Sequence, residues 1–226
     1  MVLNGRDAAK LEHAVEALSK ETGGTVLGIA ADISTAEGRD KILGGVGQVD
    51  ILVNNNAGPP PGHLEDWDHA ALIGALEMNM IPGVLFMRAF IPGMRERKFG
   101  RIVNITSAMV KSPNPLMGLS ASARAGLTAV SKALSRDVAA DNVTINNLLP
   151  ERIDTPRQEF MAQRIMKEQG VDRDEARRKI TATIAAKRFG LPVEFGDACA
   201  FLCSAQAGFI SGQNLQLDGG SYSGLI

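Results

Sequence analysis

Residues 50–58 read Asp50-Ile51-Leu52-Val53-Asn54-Asn55-Asn56-Ala57-Gly58, and they carry the clearest structural signal in the sequence. Its first half is short and apolar, which is typical of a strand that a parallel sheet buries on both faces. Its second half is a polar turn whose glycine allows another group to approach the backbone closely. Because ligands bind at the carboxyl ends of strands in open α/β sheets, the stretch predicts a buried parallel strand that ends at a binding site.

Extended and helical patterns alternate on both sides of this stretch, which predicts a parallel sheet wrapped by helices. The expected strands are 2–4, 25–30, 50–54, 101–105, 143–149 and 214–217. The expected helices are 6–21, 66–97, 120–139, 159–187 and 192–204. We therefore predict an α/β fold with a doubly wound, Rossmann-like parallel sheet, in a single domain that spans residues 1–226.

Composition narrows the classes of function. The net charge of −1 gives no general attraction to nucleic acid or to anionic membranes. We expect no membrane partner, because no apolar run reaches the roughly 20 residues that span a bilayer. No signal peptide is evident, so we expect a cytoplasmic protein. Cys199 and Cys203 lie four residues apart in a helical pattern and are expected to be small apolar groups, neither a disulfide nor a metal site.

Six motifs in one order resemble those of the short-chain dehydrogenase/reductase family, and the resemblance covers the whole chain. It is similar in particular to 3-oxoacyl-carrier-protein reductases. The motifs are Asp32-Ile33, Asn55-Asn56-Ala57-Gly58, Asn79, the strand and turn 100–107, residues 188–192, and residues 211–220. The resemblance implies binding of a nicotinamide cofactor and reduction of a carbonyl or oxidation of an alcohol.

The resemblance also implies roles for single residues. Asp32 and Ile33 would contact the adenine, and residues 55–58 would lie along the cofactor. Thr155 would contact the nicotinamide side. Glu151 follows Pro150 where the family prefers glycine, so its carboxylate would crowd the nicotinamide or repel a phosphate.

Arg6 gives the one clue to the type of cofactor. A carboxylate at the end of the second strand of such folds binds the ribose hydroxyls of NAD, whereas a nearby arginine accommodates the NADP phosphate. Here that position reads Asn4-Gly5-Arg6, with no carboxylate before Arg6. NADP is therefore favoured, with NAD as the second possibility. The alternative is that Arg6 is only a charged residue in the first turn of a helix.

The catalytic pair departs from the family pattern. The family uses a tyrosine four residues before a lysine, and this chain has Ser120 and Arg124 there. Its single tyrosine is Tyr222. Serine is a much weaker acid than tyrosine and arginine stays charged, so we expect the Ser120–Arg124 pair to polarise an oxygen but to transfer protons poorly. Lys111 and Glu151 are the alternative acid or base.

The sequence also begins at what resembles the second strand of the fold. We expect the first strand and the glycine-rich loop to be missing, and the sequence to be a truncated version of a longer chain. Strands 2–4 and 50–54 should then lack their shared central neighbour. Cofactor binding should be weak in the 226-residue chain and NADP-selective in a longer one.

Two functions remain open at this point. The first is an NADP-preferring oxidoreductase acting on a carbonyl or acyl substrate, in which Ser107 orients the substrate and Asn79 holds a water or a backbone group. The second is a catalytically impaired subunit that binds nucleotide or stabilises a partner. Helices 66–97 and 120–139 have wide apolar surfaces, which predict a homodimer or homotetramer. No sequence pattern identifies the substrate.

Overall fold

The computed structural model describes residues 1–225, and these residues alternate between strands and helices as expected. The strands are β1 (Val2–Gly5), β2 (Leu27–Ala30), β3 (Ile51–Asn54), β4 (Gly100–Ile105), β5 (Val143–Pro150) and β6 (Asn214–Leu217). The helices are α1 (Ala8–Thr22), α2 (Ala36–Gly45), α3 (His69–Asn79), α4 (Ile81–Glu96), α5 (Gly118–Val138), α6 (Pro156–Gln169), α7 (Arg173–Ala182) and α8 (Pro192–Cys203).

All strand pairings are parallel, and they form two separate hydrogen-bonded sheets. The larger sheet has the order β3-β4-β5-β6, and the smaller one pairs β1 with β2. Within residues 1–225, β1 and β3 share no ladder, which confirms the prediction that these strands are not directly paired.

Helices cover both faces of the larger sheet, as the doubly wound prediction required. Ile102 points to a core made with Met87 of α4 and Leu127 of α5. Its neighbour Val103 points to the opposite face and packs with Leu202 of α8. This alternation follows from the two-residue period of a strand, and it explains why every residue of β4 is buried.

Side chains join the β1–β2 pair to the rest of the chain. Ala31, which follows β2, packs with Ile42 of α2 and Phe86 of α4. Arg39 of α2 also pairs with Glu77 of α3 at 3.3 Å. The contact between the two sheets is therefore apolar packing and an ion pair, without backbone hydrogen bonds between strands.

Three helical predictions need correction. The expected helix 66–97 is two helices, because the helical conformation is interrupted at Met80. Pro82, in the first turn of α4, has no N–H and cannot continue the hydrogen bonds of α3. The expected helix 159–187 is also two, because Gly170 ends α6 in a left-handed conformation with φ 66° and Asp172 caps α7. Helix α2 was not predicted; Thr35 begins it by accepting a hydrogen bond from the Gly38 N–H.

By length and composition alone, residues 69–96 resemble a membrane span, and a third of their most apolar window is buried inside the fold. Glu77 and Arg88 interrupt this segment, so it contains no continuous apolar run of 20 residues. These residues form α3 and α4, and both helices contact α5. Cys199 and Cys203 are free and half-buried rather than fully buried. Among residues 1–225, no group of His, Cys, Asp or Glu is placed to hold a metal.

Candidate functional site

Arg124 of α5 organises the polar groups at the carboxyl ends of β3 and β4. Its Nη1 donates to the carbonyl oxygens of Ile105 at 2.8 Å and Thr106 at 2.9 Å. Its Nη2 donates to the Asn56 carbonyl at 3.2 Å, and its Nε donates to Ser120 Oγ at 3.3 Å. The guanidinium therefore ties two strand ends together and fixes Ser120, one helical turn away, beside them.

The charge of Arg124 is not neutralised by a carboxylate. The side chain is largely buried and has only carbonyl and hydroxyl partners among residues 1–225. Burial, with a smaller contribution from the neighbouring charge of Arg157, lowers the pKa of Arg124 to about 10. Arg124 thus remains a cation at neutral pH, and it sits in a place where an added negative charge would be stabilised.

Asn79 and Gly58 complete this cluster. Asn79 Nδ2 donates to the Ala57 carbonyl at 2.8 Å, which fixes the turn after β3. Asn79 Oδ1 is buried and has no hydrogen-bond partner. A Cβ atom on Gly58 would lie 3.1 Å from both Asn79 Oδ1 and Ser120 Oγ, so a side chain there would crowd both polar atoms. Asn79, Ser120 and Arg124 therefore pack so closely against this turn that only a glycine fits without displacing them.

Ser107 stands at the end of β4, next to Thr106, whose carbonyl Arg124 binds. It caps a short 3₁₀ turn at residues 108–110, where its Oγ accepts a hydrogen bond from the Met109 N–H at 3.2 Å. The hydroxyl hydrogen of Ser107 remains available to donate to a substrate oxygen. The structure therefore brings Ser107, Ser120, Arg124 and Asn79 to one edge of the larger sheet.

Arg6, Asp32 and Ile33 form a second cluster at the carboxyl ends of β1 and β2. Arg6 lies before α1, which begins after the N-cap Asp7, so it is not in the first turn of that helix. The Arg6 side chain is 64% exposed, and its Nη1 lies 3.8 Å from the Asp32 carboxylate. Hydrogen bonds from Ser34 lower the pKa of Asp32, which therefore carries its charge at neutral pH. Ile33 is half-buried beside this carboxylate.

The remaining predicted cofactor-binding residues differ in how firmly hydrogen bonds hold them. Asn55 is exposed, whereas Asn56 is held by a hydrogen bond from its Nδ2 to the Met78 carbonyl at 2.9 Å. Thr155 precedes α6, donates to the Ile153 carbonyl at 3.3 Å, and lines an open cleft of about 480 Å³ with Phe160.

The alternative acid–base groups have other partners in the structure. Lys132, the lysine next along α5, donates to the Gly212 carbonyl at 3.1 Å. The Nζ of Lys111 stands 5.1 Å from the centre of the Tyr222 ring. Glu151 lies 3.9 Å from Arg152. None of these contacts joins the Ser120–Arg124 pair.

A protein-family model described as "Enoyl-(Acyl carrier protein) reductase" matches residues 1–222. The chain belongs to the short-chain dehydrogenase/reductase family. The match covers both polar clusters, so the resemblance inferred from the six motifs is confirmed at the level of the family.

Curated relatives and solved structures agree with this assignment. "NADPH-dependent reductase BacG" of Bacillus subtilis is 29% identical over 226 residues, which is 98% of this chain and 87% of that protein. "3-oxoacyl-[acyl-carrier-protein] reductase FabG" of Haemophilus influenzae is 30% identical and covers 95% of this chain and 86% of that protein. The structure of L-sorbose reductase from Gluconobacter frateurii, solved with NADPH and L-sorbose, matches with a TM-score of 0.93 at 30% identity. The match covers 99% of this chain and 87% of that chain.

One feature of this short-chain dehydrogenase/reductase site was not predicted from the sequence. Asn54 Nδ2 donates to Asn104 Oδ1 at 2.8 Å, and Asn104 Nδ2 donates to Ser131 Oγ at 2.9 Å. This chain of polar groups links β3, β4 and α5. Asn54 and Asn104 are register partners, so an asparagine near the end of each of two adjacent strands was the available signal.

Proposed function

We propose that the chain is an NADPH-dependent reductase of the short-chain type, acting on the carbonyl group of a small-molecule or 3-oxoacyl substrate. The reductase names of the relatives support this proposal, and so does the NADPH complex of a structural neighbour. The alternative of a non-catalytic subunit is not favoured, because these relatives are reductases. NAD remains the second candidate for the cofactor.

The residues present fit a dinucleotide at two points. Arg6 is exposed, makes only the long contact with Asp32, and would hold the phosphate that distinguishes NADP, since an arginine fork matches phosphate geometry. Asp32 and Ile33 would meet the adenine, and the turn 55–58 would lie along the cofactor. Thr155 would meet the nicotinamide side. When bound, NADPH supplies the hydride.

The protein's part in the reaction is to hold the substrate oxygen and stabilise the charge that develops there. Ser107 would donate its hydroxyl hydrogen to that oxygen. Arg124, through its fixed charge and through Ser120, would stabilise the negative charge, because an oriented cation in a dry site favours an oxyanion. Asn79 would hold the turn after β3 in place through its hydrogen bond to the Ala57 carbonyl. Serine and arginine are poor acids, so the proton that the alkoxide takes up after hydride transfer would come from the solvent.

The observation that carries the proposal is the buried, uncompensated guanidinium of Arg124 anchored 3.3 Å from Ser120 Oγ at the end of β4. The test is NADPH consumption with a panel of short 3-oxoacyl thioesters and ketones. Ser107→Ala should lose activity, whereas Ser122→Ala should not, because the Ser122 hydroxyl bonds only within α5. Equal activity of the two variants would contradict the assignment of Ser107, and no turnover with any substrate would contradict the proposed function.

We also propose that the protein is cytoplasmic and forms a homodimer or homotetramer through α3, α4 and α5. Leu72 and Ile73 of α3 are each 44% exposed, and other apolar side chains of this region are only partly covered. A second copy would remove these surfaces from water, which is the main driving force for association.

A further inference from the structure

The turn that follows Ser107 is held together by its own hydrogen bonds. Ser107 Oγ accepts a hydrogen bond from the Met109 N–H at 3.2 Å, and the Val110 N–H donates to the Ser107 carbonyl at 3.0 Å. The Lys111 N–H donates to the Ala108 carbonyl, also at 3.0 Å. Because these bonds join the residues of the turn into one unit, a shift of Lys111 would also shift Ser107.

The segment after β6 is held in place by Asp218. The Asp218 carboxylate accepts hydrogen bonds from the N–H groups of Gly220 and Tyr222, each at 2.9 Å. The Asp218 carbonyl accepts a hydrogen bond from the Ser221 hydroxyl at 2.8 Å, and Asp218 itself is buried. These bonds fix the backbone of Tyr222, which is the single tyrosine of the chain.

Lys111 and Tyr222 connect these two segments. The Lys111 Nζ lies 5.1 Å from the centre of the Tyr222 ring, within the distance of about 6 Å at which a cation is attracted to a ring face. Both residues are half-buried. Within residues 1–225 Lys111 makes no ion pair, so the Tyr222 ring is the group that holds its ammonium in place.

The Lys111–Tyr222 contact joins the ends of two strands that are not neighbours, because β5 lies between β4 and β6. The turn with Lys111 follows β4, and the segment with Tyr222 follows β6, so the contact reaches over the carboxyl end of β5. Ligands bind at this edge in open α/β sheets. The contact therefore lies at the edge where Ser107 would meet a substrate.

We propose that Lys111 and Tyr222 are positioning residues that hold the Ser107 hydroxyl in place for the substrate oxygen. Their contact ties the turn after β4 to the segment after β6 and so restricts the turn to one position. The attraction uses the face of the ring rather than the phenol hydroxyl, because the cation interacts with the ring quadrupole. The inference rests on the proposed reductase function, in which Ser107 binds the substrate. A misplacement of about 1 Å can cost about 10²-fold in rate, so a weak contact of this kind affects kcat.

The test is a matched pair of variants at Tyr222, assayed by NADPH-linked reduction. Tyr222→Phe keeps the ring and should keep most of the activity. Tyr222→Leu removes the ring and should lower kcat by about 10- to 100-fold, with a smaller change in KM. Lys111→Met should have the same effect as Tyr222→Leu. Phe209→Leu is the control for the loss of an aromatic ring, since Phe209 is fully exposed and precedes β6, and it should behave as the unmodified protein.

Combined variants test whether the pair acts through Ser107. Lys111→Met with Tyr222→Leu should lose no more activity than either single variant, because the two residues share one contact. In a Ser107→Ala background, Tyr222→Leu should cost no further activity. Additive losses in either combination would overturn the proposal. Equal losses in Tyr222→Phe and Tyr222→Leu, or full activity of Tyr222→Leu, would overturn it as well.

Amide hydrogen exchange tests the same contact without turnover. Tyr222→Leu should speed the exchange of the Met109 N–H by about two- to fivefold, the factor that corresponds to a cation–π contact at an exposed site, while the amides of β4 keep their rates. Circular dichroism and thermal melting are the controls for folding. Unchanged exchange at Met109 would refute the contact. Faster exchange in a protein that reduces none of the substrates would support the contact and contradict the reductase function, so the two failures are distinguishable.

Discussion

Arg124→Met should remove most of the activity without removing the fold. The substitution keeps a long apolar side chain in α5 but deletes the cation 3.3 Å from Ser120 Oγ. Loss of one oriented group that stabilises an oxyanion typically costs about 10²–10³-fold in kcat. We expect a loss of this size in NADPH-linked reduction, with KM changing less than kcat. Circular dichroism and thermal melting are the controls for folding.

The pH dependence makes this prediction specific. Because the pKa of Arg124 is lowered to about 10, kcat/KM should be flat around neutral pH and fall as the pH rises through 10. Arg124→Lys should move this fall to lower pH, because a lysine starts from a pKa of about 10.4 and experiences the same burial and the same neighbouring Arg157. Arg124→Met should lack the fall altogether.

The contribution of Arg124 to folding stability should change with pH in the opposite direction from the activity. The folded protein releases the Arg124 proton at lower pH than the unfolded chain does, so the contribution of this group to stability rises as the pH increases through about 10. Loss of activity in this window therefore cannot come from unfolding driven by Arg124. A wild-type profile that stays flat well above pH 10, or a fall that persists in Arg124→Met, would refute the reasoning.

Three further outcomes are expected. Arg6→Ala should weaken NADPH binding in calorimetry and leave NADH binding nearly unchanged, and tighter NADH binding by the unmodified protein would remove Arg6 from its assigned role. Ser120→Tyr combined with Arg124→Lys should raise carbonyl reduction by up to about 10²–10⁴-fold, the usual contribution of general acid catalysis, and no gain with NADPH still bound would count against the site. Leu72→Glu should lower the mass measured by light scattering, and a monomeric wild-type protein at micromolar concentration would contradict the oligomer.

The strands were predictable because apolar parallel strands have a simple signal, although β3, which was predicted to be buried, lies at the edge of the larger sheet and leaves Ile51 and Val53 exposed. Short apolar runs ending in polar turns located β3, β4 and β5 to within one or two residues. Helix α2 was not found, because its sequence from Ala36 to Gly45 contains three glycines and alternating charges, and its N-cap at Thr35 was overlooked. The break at Met80 was also missed, since apolar residues on both sides hide the point where Pro82 interrupts the hydrogen bonds.

The residues of the site could be predicted from the sequence, but the hydrogen bonds among them could not. Family motifs and helical spacing indicated Ser107, Ser120, Arg124 and Asn79. Arg124 donates to carbonyls that lie 18, 19 and 68 positions away in the sequence. These contacts could not be predicted, because they depend on how the strand ends meet in space.

The separation of the two sheets has a consequence for how the molecule opens. The β1–β2 pair with α1 and α2 is held to the larger sheet by Phe86 packing and the Arg39–Glu77 pair rather than by a continuous ladder. Contiguous units with few bonds across their border tend to unfold as local cooperative units, before the whole molecule does. Amide hydrogen exchange should therefore divide the chain, with faster exchange and a lower opening free energy for residues 1–45 than for β4 and β5. The cluster of Arg6, Asp32 and Ile33 would then form and break on the timescale of that opening, while the Ser120–Arg124 pair stays formed.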